Sequence, residues 1–342
     1  MKSKKYFIKT YGCQMNVSDS ERIVGWYQQH GWQETKSMEE ADEVVMVTCS
    51  VRQTAEDRVY GLINNLVKLK TKNSKLKIVL TGCMMRYPLR WLKDKMPQVD
   101  EFKKIDEFKL DSGEKIVRES KSHAFVPIME GCNQFCAYCV VPTARGREVS
   151  RSFEEIVCEV KELSKRGYQK ITLLGQNVNA YGKDLKPKDN FARLLKEIHQ
   201  IQEIEKISFL TSNPWDLNDE IIEAISLPRI DRYLHLPVQS GDDEILKRMN
   251  RPYKIKDYLQ LVEKIRKKIP DVRIGTDIIV GFPGETEKQF KNTIALCQRI
   301  GFVKAYVAMY SPRLGTAAFK LKDDVSHQEK RRRWKILDDL IN

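Results

Sequence analysis

The chain has 342 residues, 41% hydrophobic and 31% charged, so it is long enough to bury more than one core and too apolar for disorder. Its 60 Lys and Arg against 47 Asp and Glu leave a formal charge of +13, which favours a polyanionic partner such as nucleic acid. No apolar run reaches the roughly 20 residues of a membrane span, and MKSKKYFIKTYG enters a strand pattern without an apolar leader. A cytoplasmic protein with no membrane contact is therefore expected, its eight Cys reduced.

Residues 5–10 (KYFIKT), 43–48 (EVVMVT) and 77–81 (KIVLT) read as β-branched strands, each followed by a helical pattern. That alternation predicts an α/β fold class, beginning with a parallel α/β domain over residues 1–120. Ser18-Asp19-Ser20-Glu21 has the form of a capping box and predicts a helix start at Ser18. Cys13, Cys49 and Cys83 each fall just past a strand end, so parallel strands would bring all three to one rim. Burial as three core thiols is the alternative. The charged stretch 100–122 is expected to connect two domains.

Strands are predicted near 124–130, 169–175, 206–212, 233–239, 273–281 and 304–310, with amphipathic helices between them. Phe153, Ile156, Val157, Val160 and Leu163 form one apolar stripe, with Ser152 and Glu155 placed to cap its start. Six βα units over residues 121–325 imply a partial barrel, with chemistry on the loops after the strands. Residues 326–342 read as a C-terminal helix whose run Lys330 to Arg333 is expected to be a solvated face rather than a phosphate contact. Cys158, Cys297, Trp215 and Trp334 are read as packing or surface residues.

After the first barrel strand stands EGCNQFCAYC, spacing Cys132, Cys136 and Cys139 as C-x3-C-x2-C. Three close thiolates can hold three irons of a four-iron cluster and leave the fourth open, whereas a closed zinc site wants a fourth ligand nearby. Counting cysteines alone does not separate a cluster from zinc in an RNA-binding module.

The motif on the first loop of a partial barrel resembles the radical S-adenosylmethionine enzymes, and its surroundings resemble their methylthiotransferase family. YGCQMNVSDSE, VTCSVR and TGC are similar to that family's N-terminal domain. GCNQFCAYCVVPTARGRE, LLGQNVNAYGKD, HLPVQSG, DIIVGFPGET and YSPRLGT are similar to its catalytic domain, and together these blocks span residues 6–316. GQNV resembles the branch that acts on adenosine already carrying a prenyl group beside the tRNA anticodon.

The resemblance implies two 4Fe-4S clusters, one on Cys13, Cys49 and Cys83 and one on Cys132, Cys136 and Cys139, with S-adenosylmethionine on the second. Tyr138 is then placed beside the adenine of the cofactor, and Gln176 and Asn177 near its amino group. Ser212, Gln239, Asp277 and Gly281 are further cofactor candidates, although turn chemistry alone accounts for such residues at strand ends. The implied partners are a tRNA anticodon stem-loop and an electron donor such as flavodoxin or ferredoxin, acting on a monomer. Family members continue into a small RNA-binding TRAM domain, and this sequence stops before it.

Overall fold

The computed structural model describes residues 3–110, 116–187 and 189–342. Two compact units divide it: Met1–Lys121 with Thr143–Arg145, and Ser122–Pro142 with Gly146–Asn342. Part of the expected connection, 111–115, lies outside the described residues.

The first unit runs β1 (Lys5–Thr10), α1 (Gln14–Gln29), β2 (Gln33–Glu34), β3 (Glu43–Thr48), α2 (Gln53–Lys70), β4 (Lys77–Gly82), α3 (Leu89–Lys95) and β5 (Glu101–Phe102). All pairings are parallel and the strand order is β2-β1-β3-β4-β5. Every residue of β3 is buried, as a central parallel strand covered on both faces requires. Tyr6, Ile23, Tyr27, Val45 and Phe108 pack on one face, and Val44, Val59, Leu62, Leu66, Ile78 and Leu92 on the other. The order reverses direction at β1 and β3, the place where open α/β sheets leave a crevice beyond their strand ends.

Helix α1 starts earlier than its sequence suggests. Gly12 turns the chain at φ 111°, Cys13 is the N-cap, and Ser18 and Glu21 are buried inside the helix. Glu21 pairs with the Arg118 guanidinium at 3.1 Å and accepts the Glu119 amide instead of closing a capping box.

The second unit contains β6 (His123–Pro127), β7 (Met129–Glu130), β8 (Val149–Ser150), α5 (Phe153–Lys165), β9 (Lys170–Leu174), α6 (Phe191–His199), β10 (Lys206–Phe209) and α7 (Asp219–Ile225). It continues with β11 (Tyr233–His235), α8 (Asp243–Arg248), α9 (Ile255–Lys268), β12 (Arg273–Val280), α10 (Glu287–Ile300), β13 (Lys304–Met309) and α11 (His327–Ile341). A single helical turn, α4 (Val141–Ala144), lies between β7 and β8 in the chain.

Two three-stranded parallel sheets, β6-β9-β10 and β11-β12-β13, are joined by a parallel bridge between Ile207 and Ile230. They form the expected open arc of six parallel strands. Alternation divides each strand. Ala124, Val126, Ile171, Leu173, Ile207, Leu234, Ile274, Ile278 and Ala305 join one core with the helix stripes. Ser152 caps α5 by accepting the Glu155 amide, and the stripe from Phe153 to Leu163 is buried.

The basic run in α11 is a solvated face only in part, since Arg331 and Arg332 are exposed. Lys330 and Arg333 are buried, Lys330 against Asp323 and Arg333 against Glu285 and Glu329. Their partners come from other segments or from one turn back in the helix, which hides the pairing from a local reading. Trp334 packs on the core and donates its indole N–H to the Val307 carbonyl.

Candidate functional site

In the first unit, β1, β3 and β4 are neighbours, and the cysteines follow their carboxyl ends. A Cβ on Gly12 would stand 2.7 Å from Cys49 Cβ and 3.1 Å from its Sγ, so only glycine lets these two strand ends approach. Gly82, at φ 88°, would clash in the same way with the Thr48 carbonyl, 2.6 Å from its added Cβ. Asn16 ties the rim together: its Nδ2 donates to the carbonyls of Tyr11 and Thr48, at 2.6 and 2.9 Å. Its Oδ1 lies 3.9 Å from Cys13 Sγ and 4.0 Å from Cys83 Sγ. Two of the thiols thus flank one buried amide, with Cys13 exposed and Cys49 and Cys83 buried.

Arg145, a member of this unit, donates from Nη2 to Asn16 Oδ1 at 2.8 Å and to Asp19 Oδ2 at 2.6 Å. Burial pushes the Cys83 thiol up to about 11 while the Arg145 charge works against that rise. Burial also raises Cys49. Sequence reasoning missed both Asn16 and Arg145.

In the second unit the antiparallel pair β7–β8 closes a loop that carries Cys132, Cys136 and Cys139. Gly131, at φ 81°, begins it, and an added Cβ would stand 2.0 Å from the Arg147 carbonyl. Backbone amides aim at sulfur: Gln134 N–H at Cys132 Sγ, 3.4 Å, and Val141 N–H at Cys139 Sγ, 3.5 Å. Arg251 Nη1 stands 3.6 Å from Cys136 Sγ. That guanidinium is buried over Trp215 and anchored on the Pro237 carbonyl at 2.7 Å. Burial drives the Cys132 thiol up to about 11 and the Cys139 thiol up to about 12. A bound cation offsets that cost by stabilising thiolate. Arg251 was not singled out from sequence, because nothing local marks it.

Tyr138 is half-buried against the small apolar cluster of Ala137, Ile245, Met249, Phe282 and Tyr310, and burial raises its phenol pKa well above the ordinary value. The remaining candidates divide. Asn177 Oδ1, Ser212 Oγ and Gln239 Oε1 are buried without a hydrogen-bond partner among the described residues, all at carboxyl ends of barrel strands. Buried polar atoms are rarely left so, and a polar ligand would satisfy them. Gln239 at φ 69° and Thr211 at φ 70° also hold left-handed backbone that side chains of their type disfavour.

Gln176, by contrast, already accepts the Gly131 amide through Oε1 and holds the cysteine loop. Gly281 is crowded by Lys330, 2.3 Å from where its Cβ would stand, so its bare backbone serves α11. Asp277 accepts from His235 Nε2 at 3.0 Å. With Tyr306 set edge-on to His235, these residues lie on the strand face opposite the helix-side core.

Among the described residues, no three His, Cys, Asp or Glu side chains close on a single metal ion. A four-iron cluster spreads its thiolates more widely than one ion does, so both triplets, with their N–H and guanidinium donors, fit that group. Among the described residues no helix is long and apolar enough to cross a membrane.

Residues 126–297 match the model of the radical SAM superfamily, and residues 5–103 match one described as an uncharacterized protein family. The chain is 45% identical over 366 residues to the tRNA-2-methylthio-N(6)-dimethylallyladenosine synthase of Clostridium botulinum strain Langeland, covering 99% of this chain and 81% of that protein. To the synthase of the same name from Thermoanaerobacter pseudethanolicus it is 43% identical over 369 residues, covering 100% and 78%.

Among solved structures, it resembles the radical S-adenosylmethionine methyltransferase TsrM from Kitasatospora setae, with cobalamin and a [4Fe-4S] cluster bound. The TM-score is 0.61 at 11% identity, over 90% of this chain and 75% of that one. It also resembles OxsB with aqua-cobalamin and S-adenosylmethionine bound, at TM-score 0.60 and 10% identity, over 99% and 56% of the two chains. At such identities the structural likeness speaks for the fold alone.

Proposed function

Since the chain belongs to the family of the tRNA-2-methylthio-N(6)-dimethylallyladenosine synthases, we infer that it is a radical S-adenosylmethionine methylthiotransferase. It converts N6-prenyl-adenosine next to the tRNA anticodon to the 2-methylthio derivative. The observation that carries this reading is the pair of thiol triplets beyond parallel strand ends, in a chain 45% identical to such a synthase over 99% of its length. The zinc-module alternative accounts for neither the second triplet nor the whole-chain likeness.

When bound, S-adenosylmethionine and two four-iron clusters supply the radical, the methyl group and a site for sulfur. Cys132, Cys136 and Cys139 hold one cluster, and Cys13, Cys49 and Cys83 the other. Arg251 keeps a positive charge on Cys136. Tyr138 offers an aromatic flank to the cofactor, and Asn177, Ser212 and Gln239 supply oxygens that lack partners among the described residues. We assign His235, Asp277 and Tyr306 to the face that meets the target base. An apolar pocket suits a prenyl group, whereas the carboxylate of a threonylcarbamoyl group needs a charged or hydrogen-bonding partner once desolvated. A cytoplasmic monomer fed by flavodoxin or ferredoxin completes this reading.

The test is direct. With both clusters built and a reductant supplied, anticodon stem-loop RNA carrying N6-prenyl-adenosine gains a methylthio group, read by nucleoside mass spectrometry. Equal reaction of unmodified adenosine, or preference for the threonylcarbamoyl substrate, overturns the assignment.

A further inference from the structure

We propose that the buried Arg145–Asp19 pair, acting directly on Cys83 and through Asn16, sets the reduction potential of the iron–sulfur centre held by Cys13, Cys49 and Cys83. This rests on the reading that those thiols hold a cluster, and it assigns the two charged residues a tuning role.

The pair is unusual for its place. The side chain of Arg145 is 6% exposed and that of Asp19 is 5% exposed, their contact is 2.6 Å, and burying both charges carries a desolvation cost that packed apolar groups would avoid. The Arg145 nitrogen that meets Asp19 also meets Asn16 Oδ1, at 2.8 Å. That oxygen stands 3.9 Å from Cys13 Sγ and 4.0 Å from Cys83 Sγ. The Asn16 orientation is fixed, because its Nδ2 is held by two strand-end carbonyls. A full positive charge is therefore one amide away from Cys13 and beside the buried Cys83, where charge is poorly screened.

The potential of an iron–sulfur centre follows its net charge, the hydrogen bonds to its sulfurs and its exposure. Reduction adds an electron, so a nearby cation favours the reduced form and a nearby anion the oxidised one. Arg145 and Asp19 consequently pull in opposite directions, and the potential is a balance between them. A pair that merely clamped the fold would not show this antisymmetry.

The experiment is a redox titration followed by electron paramagnetic resonance. It uses the full chain with Cys132, Cys136 and Cys139 all replaced by Ala, so that one centre is read. Arg145→Gln is expected to shift the midpoint to more negative potential and Asp19→Asn to more positive, with Arg145→Lys near the parent. Should Arg145→Gln lose its iron, Asp19→Asn still decides by the sign of its shift against the parent and Arg145→Lys. Shifts of one sign, or unchanged midpoints with the centre retained, overturn the proposal alone. A parent protein that binds no iron–sulfur centre overturns the reading of Cys13, Cys49 and Cys83 on which it rests.

Discussion

Arg251 aims Nη1 at Cys136 Sγ from 3.6 Å while its Nη2 is anchored on the Pro237 carbonyl at 2.7 Å. The guanidinium fork can serve both acceptors at once, which a lysine ammonium cannot do from the same place. Arg251→Met is expected to cut iron retention at this triplet and reductive cleavage of S-adenosylmethionine by roughly 10- to 100-fold, the usual cost of losing an outer-shell partner. Arg251→Lys should fall between that variant and the parent. Iron analysis and a cleavage assay on anaerobically rebuilt protein check both.

The partnerless oxygens make a second prediction, with opposite effects on stability and binding. Ser212 Oγ is buried and unsatisfied, so Ser212→Ala should stabilise the ligand-free protein by about 1 kcal/mol, since a lone buried hydroxyl is costly. The same change, and Gln239→Leu, should weaken S-adenosylmethionine by roughly tenfold or more if these groups bond to it. Thermal unfolding with and without cofactor, alongside equilibrium binding, separates the two. Unchanged affinity would remove these residues from the cofactor site.

What was legible in the sequence was local. The β-branched runs marked β1, β3 and β4, and the apolar stripe from Phe153 to Leu163 marked α5, because hydrophobic period alone identifies such elements. The six barrel strands were legible for the same reason. Misreadings arose where local pattern and distant partner disagree. Ser18 and Glu21 mimic a helix start, yet Gly12 and Cys13 begin α1 one turn earlier and Glu21 is spent on Arg118. Lys330 and Arg333 resemble a solvated run, yet Asp323 and Glu285 draw them inward. Arg251 had no signal, and Arg145, though inside GCNQFCAYCVVPTARGRE, gave no hint of its role, for a single arginine gains meaning only from the thiols the fold brings to it.

Arg333 and Glu285 give a stability prediction. The side chains are 5% and 1% exposed and 2.8 Å apart, and Glu285 Oε2 also accepts the Gly281 amide. Arg333→Met leaves that carboxylate buried without its cation, which costs about 3–5 kcal/mol and should lower the midpoint of thermal unfolding by roughly 10 °C. Adding Glu285→Gln removes the stranded charge and should recover much of the loss. Calorimetry of the single and double variants tests this, and strict additivity would show that the pair is not coupled.

The final prediction concerns the division of labour between the triplets. Two four-iron clusters require about eight irons per chain after anaerobic rebuilding, and replacing Cys132, Cys136 and Cys139 by Ala should remove half of them. Of the two triplets, the backbone amides of Gln134 and Val141 and the Arg251 guanidinium touch this one, whereas Asn16 and Arg145 serve Cys13 and Cys83. Each set is supported by residues of its own unit, so loss of one should leave the other intact. Cys13→Ala is accordingly expected to cleave S-adenosylmethionine at near the parent rate and to yield no methylthio product. Cys136→Ala should abolish both. Cleavage is measured as 5′-deoxyadenosine and product by mass of the modified nucleoside. Methylthio product from Cys13→Ala would remove the first triplet from sulfur delivery. Loss of cleavage in that variant would show that the two sites do not act separately.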